Sequence, residues 1–109
     1  MRDALEGHCD CGAVTVTVPG PPDRINACPC DYCRRVGAHW GYYEPRTVSV
    51  QGATEAYLRA TKSIEFHRCT TCGVTVQWRW PDGRGRKTGI NMTNFAPALL
   101  ADVPVVVDP

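Results

Sequence analysis

The seven cysteines are the residues of this sequence whose type and spacing point most directly to chemistry. They form three clusters, with none outside: Cys9 and Cys11 as C-x-C, Cys28, Cys30 and Cys33 as C-x-C-x-x-C, and Cys69 and Cys72 as C-x-x-C. Such tight spacings suit several thiolates around one metal ion better than disulfides between distant loops. An odd number of cysteines would also leave one unpaired in a disulfide scaffold. The pattern therefore favours metal ligation over disulfide bonds.

Seven cysteines divide naturally into a set of four and a set of three, and zinc chemistry gives these numbers different meanings. A structural zinc site is closed by four protein ligands, whereas a catalytic site has three and keeps one position for water or substrate. The predicted sites are a structural one formed by Cys9, Cys11, Cys69 and Cys72 and a catalytic one formed by Cys28, Cys30 and Cys33. The sequence thus predicts two zinc ions per chain, with the second one more labile.

The same residues leave alternatives open for the middle cluster. A histidine could close the second site as a fourth ligand and make it structural as well, and the chain offers His8, His39 and His67. Two of the middle cysteines could instead form a reversible disulfide, which would make the protein a thiol redox sensor that releases zinc on oxidation. An iron–sulfur cluster fits less well, because such clusters usually require four cysteines.

Several side chains near the middle cluster in sequence are candidates for substrate binding. Arg34 and Arg35 directly follow Cys33. They either neutralise the thiolates or hold the carboxylates of an acidic ligand, for which the guanidinium fork is suited. The candidate proton donors are Tyr32, His39 and Tyr42.

Length and charge restrict the class of protein. A chain of 109 residues is expected to form a single domain, residues 1–109, with a small core. The formal net charge is +1, and zinc-bound thiolates would make it slightly negative, so no nucleic-acid partner is expected. The basic run Arg84-Gly85-Arg86-Lys87 follows a Pro-Asp-Gly turn and is expected to be a solvated loop tip.

Hydropathy gives an expectation for location. The sequence has no apolar stretch of about 20 residues, so no membrane partner is expected. The N-terminal residues MRDALEGHCD show no apolar secretory segment, and thiolates retained as ligands fit a reducing compartment. We therefore expect a cytoplasmic protein. The sequence does not indicate an oligomeric state.

The elements that must position these residues are mostly strands. Residues 13–18 alternate valine with threonine or alanine, which is the period-two pattern of a half-buried strand, and Pro19-Gly20 ends it. Residues 74–80 repeat this device, and the alternation places Val74, Val76, Trp78 and Trp80 on one face. Both segments follow a cysteine pair and a glycine, Gly12 or Gly73. We expect each glycine to adopt a backbone conformation that other residues avoid.

Weaker signals complete the prediction. Further strands are expected over residues 47–50, 55–59 and 63–68, and residues 34–36 and 96–100 could each form a short helical turn. Residues 105–107 either pair as an edge strand or trail from the domain. Trp40 and Tyr42 share one face of an extended segment. Together with Tyr43 they either pack in the core or form a wall of the middle site.

The order of the cysteine motifs resembles a known family. The motifs are Cys9-x-Cys11-Gly12, then Cys28-x-Cys30-x-x-Cys33-Arg34-Arg35-x-Gly37, then Cys69-x-x-Cys72-Gly73, and they resemble the glutathione-dependent formaldehyde-activating enzyme (GFA) family, which also includes centromere protein V. The resemblance extends from about Glu6 to Thr93. It implies an all-β fold, a small β-tent of antiparallel sheets pinned by a structural zinc. It also implies the same division of the seven cysteines into a structural and a catalytic set.

The resemblance also implies an activity. The protein would be a zinc-dependent carbon–sulfur lyase that acts on adducts of glutathione, or another thiol, with a small aldehyde. A non-catalytic, zinc-stabilised binding module is the rival interpretation, because a shared fold does not impose a shared function.

Overall fold

The computed structural model describes residues 3–58, 64–81 and 87–108. Within these residues the chain forms ten strands: β1 Leu5–His8, β2 Thr15–Val18, β3 Ile25–Asn26, β4 Trp40–Tyr43, β5 Ser49–Gln51, β6 Thr54–Leu58, β7 Glu65–Cys69, β8 Thr75–Arg79, β9 Thr88–Asn91 and β10 Val105–Val106. One α-helix, α1, spans Asp31–Val36, and 3-10 helices span Pro45–Thr47, Met92–Asn94 and Pro97–Leu100. The predicted all-β fold is confirmed.

The strands form two sheets. The smaller one has the order β1-β2-β5, and the larger one has the order β10-β3-β4-β9-β8-β7-β6. Neighbouring strands are antiparallel except at one edge, where β10 runs parallel to β3. Of the two alternatives for the C-terminal segment, the edge strand is the one observed, and it pairs with the early strand β3.

Strand β2 shows why the valine-threonine alternation folds as it does. Val14, Val16 and Val18 are buried, whereas Thr15 and Thr17 are only half-buried. Successive side chains of a strand point to opposite faces of the sheet, so the three valines share the core face. The period-two prediction for this segment is confirmed.

Strand β8 differs from the prediction for residues 74–80. Val74 and Val76 pack with the core cluster that contains Cys9 and Cys69, whereas Trp78 packs with a second cluster. The register between β7 and β8 shifts between His67 and Arg68, and such an irregularity re-aims the side chains that follow it. The strand was predicted correctly, but its valines and Trp78 do not share one core.

The weaker signals correspond to elements whose bounds differ by a few residues. The strand expected over 47–50 is β5, preceded by a 3-10 turn, and those expected over 55–59 and 63–68 are β6 and β7. Arg59 and residues 60–63 lie outside the described residues. The helical turn after Cys33 is α1, which begins earlier, at Asp31. The sequence signals did not predict β1, β3, β4 or β9.

Two buried clusters form the core. The first includes residues from strands of both sheets and consists of Cys9, Val14, Val16, Val18, Ile25, Cys69, Val76, Ile90, Met92 and Phe95. The second, which we call the aromatic cluster, contains Cys33, Ala38, Trp40 and Phe66. The cysteines of the two predicted metal sites thus lie in different parts of the core.

No helix among the described residues is long and apolar enough to cross a membrane.

The basic run predicted to be a solvated loop tip lies mostly outside the described residues. Its first three members, Arg84, Gly85 and Arg86, are not described.

Candidate metal centres

The four cysteines of the two separated pairs meet in the structure. Their sulfur atoms all lie within 4.8 Å of one another. The Cys11 sulfur lies 3.7 Å from that of Cys9 and 3.7 Å from that of Cys69. Sulfurs around a tetrahedral zinc with Zn–S distances of about 2.3 Å would be about 3.8 Å apart. Cys9, Cys11, Cys69 and Cys72 therefore form a group whose size and donor set fit one zinc ion.

Two similar turns present these sulfurs. In the first turn the Cys9 amide donates to the Val14 carbonyl, and in the second the Cys69 amide donates to that of Val74. Gly12 and Gly73 close the turns with φ values of 83° and 78°, in the left-handed region that glycine adopts without steric cost. The glycine conformation expected from the sequence is confirmed at both positions.

Backbone amides point at the sulfurs of this group. The Val14 amide donates to Cys9 Sγ over 3.3 Å, and the Thr71 amide donates to Cys69 Sγ over 3.3 Å. Hydrogen bonds of this kind favour the thiolate. The backbone bond from Cys72, with a smaller contribution from Thr71, lowers the pKa of Cys69 to about 6 against the effect of burial. The turns thus prepare the group for a cation.

The position of this group in the fold explains what a metal would do there. Cys9 directly follows β1 of the smaller sheet, and Cys69 is the last residue of β7 in the larger sheet. A metal held by the group would join the turn after β1 to the turn after β7. This is the arrangement of a structural cross-link between the two sheets.

The middle cysteines form a second group at the start of α1. The sulfurs of Cys28, Cys30 and Cys33 also lie within 4.8 Å of one another. Cys30 is the N-cap of the helix, and its sulfur accepts a hydrogen bond from the Cys33 amide over 3.3 Å. The helix ends at Gly37, whose φ of 71° provides the left-handed cap. This short helix brings the third sulfur back beside the first two.

The ionisation of the middle group is uneven. Burial raises the pKa of the Cys33 thiol to about 12, and the hydrogen bond to Cys30 and the charges of Cys28 and Cys30 act in the same direction. Burial also acts to raise the pKa of Cys30, but hydrogen bonds from Cys33 and Cys28 lower it overall. Several thiolates this close together are mutually destabilising unless a cation neutralises them. The group therefore has the chemistry of a three-sulfur metal site.

No histidine joins the middle group among the described residues, although the chain offers three. His8 Nδ1 lies 2.7 Å from the Cys9 carbonyl oxygen. His67 lies between Thr54 and Glu65. Its Nδ1 atom is 3.0 Å from Thr54 Oγ1, and its Nε2 atom is 3.0 Å from Glu65 Oε1. His39 is exposed, and its ring does not lie close enough to the three sulfurs to share a metal ion with them. The two groups of potential ligands found in the described residues contain cysteines alone.

A cavity of about 300 Å³ opens beside the middle group. All three of its cysteines line the cavity, together with Arg24, Asn26, Trp40, Tyr42, Ile64, Phe66, Trp78, Lys87 and Asp108. Four aromatic residues contribute to the walls, and the ring centroids of two of them, Tyr42 and Trp78, are 6.1 Å apart. Apolar walls with a few polar groups are typical of small-molecule sites.

Charged groups lie at the cavity as well. Arg24 pairs with Asp108 at 3.3 Å, and the Lys87 ammonium lies 5.3 Å from the centroid of the Tyr42 ring. Sequence reasoning did not select Arg24, Asn26, Trp78 or Asp108, and it placed Lys87 in a solvated loop tip. Trp78 and Lys87 belong to local patterns, a strand and a basic run, but neither pattern indicated that its residue would lie beside the middle cysteines. Arg24, Asn26 and Asp108 belong to no motif.

The structure separates the five candidate substrate-binding residues. Tyr42 lines the cavity. Tyr32 stacks on Phe66 with ring centroids 3.9 Å apart, and its hydroxyl lies 3.1 Å from Thr75 Oγ1. His39 is exposed at the start of β4. Arg34 and Arg35 are exposed on α1, each 3.6 Å from an Asp31 carboxylate oxygen. Of the five, only Tyr42 is a residue of the cavity lining.

The aromatic residues of β4 combine the two roles considered for them. Trp40 is almost fully buried in the aromatic cluster, and it also lines the cavity with Tyr42. Trp40 and Tyr42 therefore share a face, as predicted. The side chain of Tyr43 points away from this cavity, and its hydroxyl donates to the Gly20 carbonyl over 2.8 Å.

Comparison with known families agrees with this geometry. The sequence matches the family described as glutathione-dependent formaldehyde-activating enzyme over residues 4–103. The chain belongs to the GFA family. The match includes both cysteine groups and most of the cavity lining, so the resemblance stated from the cysteine motifs is confirmed. The family is named as an enzyme family, which supports an enzymatic role for this member.

One solved structure extends the comparison to the fold. The crystal structure of a Rhodobacter sphaeroides protein superposes with a TM-score of 0.75 and 26% sequence identity, and the match covers 94% of this chain and 100% of that one. Among proteins with curated functions, no significant match was found.

Proposed function

We propose that this protein is a zinc-dependent carbon–sulfur lyase that acts on adducts of glutathione, or a related thiol, with a small aldehyde. The observation that carries the proposal is the placement of the middle cysteines, whose three clustered sulfurs line a 300 Å³ cavity. Three protein ligands beside a cavity are the arrangement of a catalytic zinc site with an exchangeable position. The four-sulfur group would hold the second, structural zinc.

The donor sets fit zinc at both groups, because soft thiolates select this ion over magnesium or calcium. Cys9, Cys11, Cys69 and Cys72 would be the ligands of the structural ion, and Cys28, Cys30 and Cys33 those of the catalytic ion. Zinc bound at the middle group would supply Lewis-acid chemistry, favouring the ionised form of a substrate thiol and polarising a carbonyl oxygen.

The reaction is a reversible addition. The thiolate sulfur of the cosubstrate attacks the carbonyl carbon of the aldehyde, and a carbon–sulfur bond forms. The π electrons of the carbonyl move to its oxygen, which takes up a proton in place of the one that the thiol released. The product is the hemithioacetal, and the reverse direction breaks the same bond. The cavity walls would hold the two reactants together and exclude bulk water.

The charged side chains at the cavity suit a carboxylate-bearing thiol. Arg24 and Lys87 both line it, and arginine in particular binds carboxylates well. We propose that they bind the carboxylates of glutathione. Arg34 and Arg35 stay candidates for this role, as Tyr32, His39 and Tyr42 do for proton transfer.

Among the described residues, no histidine or carboxylate joins Cys28, Cys30 and Cys33 as a fourth ligand. This favours the enzyme over the non-catalytic binding module. A closed fourth position would have favoured the module.

The proposal is tested with glutathione and formaldehyde as reactants. Exchange between free and S-hydroxymethylated glutathione is measured by nuclear magnetic resonance with the zinc-loaded wild type and with Cys33→Ser. We expect the wild type to accelerate the exchange and Cys33→Ser to lose this effect. A Cys33→Ser variant with full zinc content and full activity would contradict the proposal.

A further inference from the structure

Among the described residues, the hydroxyl of Tyr42 makes a single hydrogen bond, and the orientation of its partner determines which of the two groups donates. The Asn26 Nδ2 atom lies 2.7 Å from the Tyr42 hydroxyl oxygen. Asn26 is almost fully buried in β3, on the strand next to β4 in the larger sheet. An amide side chain offers one group that only accepts and one that only donates. The orientation of the Asn26 amide therefore decides which role Tyr42 takes.

The C-terminal segment fixes this orientation. The backbone amide of Asp108 can only donate, and it lies 2.9 Å from Asn26 Oδ1. The other end of the amide must then be the NH₂ group, which donates to the Asp108 carbonyl over 3.0 Å and to the Tyr42 hydroxyl. These two backbone contacts leave no alternative orientation for the amide. Tyr42 is consequently the acceptor in its bond with Asn26.

A hydroxyl that accepts from one partner still has its own proton to donate. No acceptor for the Tyr42 proton is found among the described residues. Tyr42 lines the same cavity as Cys28 and Cys33. The donor direction of the hydroxyl is thus available to a molecule bound beside the middle sulfurs.

Packing holds the ring itself in place. Trp78 contacts the ring at a tilted angle of 59°, and the Lys87 ammonium lies over it. Burial is the main reason why the pKa of Tyr42 is raised, against the effect of the hydrogen bond from Asn26. The phenol is therefore protonated at neutral pH.

We propose that Tyr42 donates a hydrogen bond and then its proton to the oxygen of the aldehyde, and that Asn26 is the positioning residue that points this proton into the cavity. The inference rests on the proposed function. During addition, the carbonyl oxygen gains an electron pair as the carbon–sulfur bond forms, and it takes the Tyr42 proton. Solvent then reprotonates the phenolate with the proton released by the thiol. In the reverse direction the phenolate takes the hydroxyl proton of the hemithioacetal as the carbon–sulfur bond breaks.

The decisive variant is Asn26→Asp, which reverses the hydrogen bond with almost no change in size. The introduced carboxylate still accepts from the Asp108 amide, but it can no longer donate to the Asp108 carbonyl or to Tyr42. The phenol would then donate to the carboxylate, and its proton would be withdrawn from the cavity. Tyr42→Phe removes the same proton directly. Tyr43→Phe is the matched control, because its hydroxyl donates to Gly20 rather than into the cavity.

The experiment measures kcat and KM for hemithioacetal formation from glutathione and formaldehyde, with zinc content and thermal unfolding followed for each variant. We expect Tyr42→Phe and Asn26→Asp each to lower kcat by about 10²- to 10⁴-fold, with KM for glutathione and zinc content unchanged. The double variant should be no slower than Tyr42→Phe alone, because both changes remove one interaction. Tyr43→Phe should retain wild-type kcat.

The outcomes separate this inference from the function on which it rests. A zinc-loaded wild type without activity would overturn both. An active wild type with an equally active Tyr42→Phe would overturn the inference alone. A loss in Asn26→Asp that adds fully to that of Tyr42→Phe would overturn the role of Asn26. If Asn26→Asp does not fold, the kcat of Tyr42→Phe still decides the role of Tyr42.

Discussion

The indole N–H of Trp40 donates a hydrogen bond to Cys33 Sγ over 3.1 Å, at a position where both residues are almost fully buried. This bond connects β4 to the middle group of cysteines, since Cys33 is the buried residue of α1. It acts to lower the pKa of Cys33, against the larger effect of burial. The indole thus stabilises the thiolate form of Cys33 and fixes the direction of its sulfur.

The first prediction concerns this bond. Trp40→Phe keeps an aromatic ring in the core but removes the N–H donor. We expect the affinity of the middle group for zinc to fall by about 10- to 100-fold, as is usual when a partner of a metal ligand is lost. Competition with a chromogenic chelator, with the ions of the two sites resolved by their rates of release, measures this affinity.

The control for this variant is Trp78→Phe. Trp78 lines the same cavity, but the structure shows no hydrogen bond from its indole to a sulfur. Zinc affinity should therefore be unchanged in Trp78→Phe. Equal losses in the two variants would show that aromatic bulk, rather than the indole donor, supports the middle group.

The second prediction separates the two cysteine groups by their effect on folding. Cys69→Ser removes a ligand from the group that joins the two sheets, and binding free energy at a structural zinc site contributes directly to folding. We expect this variant to lose its cooperative thermal transition in circular dichroism. Cys33→Ser should keep one, because the middle group lies within a local turn and helix. Cooperative unfolding of Cys69→Ser near the wild-type temperature would contradict the structural role.

The third prediction concerns binding of the thiol. Lys87→Met removes a positive charge from the cavity lining, and Arg34→Gln removes one from the exposed face of α1. We expect KM for glutathione to rise by about two- to fivefold in Lys87→Met, the usual size for a partly exposed ion pair, and to stay unchanged in Arg34→Gln. The reverse pattern would assign the carboxylate contact to the helix arginine, which was selected because it directly follows Cys33 in the sequence.

The fourth prediction uses a close contact of the cavity wall. A Cβ atom at Gly89 would lie 1.9 Å from Nε1 of Trp78, closer than any real contact. Gly89→Ala must therefore displace the indole, which also contacts Tyr42. We expect destabilisation by about 1–3 kcal/mol, as for overpacking in a core, and a lower kcat. Chemical denaturation and steady-state kinetics measure the two effects. Full activity in Gly89→Ala would show that the position of Trp78 does not matter to the reaction.

The sequence predicted which cysteines meet. The three middle cysteines are neighbours in the chain, whereas the two outer pairs, with Cys11 and Cys69 separated by 58 positions, were joined by counting the four ligands that a closed zinc site needs. Each C-x-C or C-x-x-C motif forms a local turn, and the glycine after it indicates the backbone conformation of that turn. The strand β2 could be predicted for a similar reason, since alternation of valine and threonine is a local pattern. The single-domain organisation and the roles of the site residues stay predictions.

The cavity could not be predicted from local patterns. Asn26 and Asp108 are 82 residues apart in sequence, and they meet because β10 pairs in parallel with the two-residue strand β3. A strand of this length carries no periodicity, so neither it nor its partner indicated that Arg24, Asn26 and Asp108 would lie beside Cys28. Arg34 and Arg35 were selected by nearness in sequence. The helix turns both toward Asp31 instead.

Native mass spectrometry of the reduced wild type and of Cys33→Ser decides whether the middle cysteines hold a metal ion, because it counts bound ions per chain and reports the oxidation state of the cysteines by mass. We expect two zinc ions and seven reduced cysteines in the wild type, and one zinc ion in Cys33→Ser. A wild type that carries one zinc ion, with the middle cysteines free or joined in a disulfide, would rule out the proposed catalytic zinc and favour a redox or purely structural role.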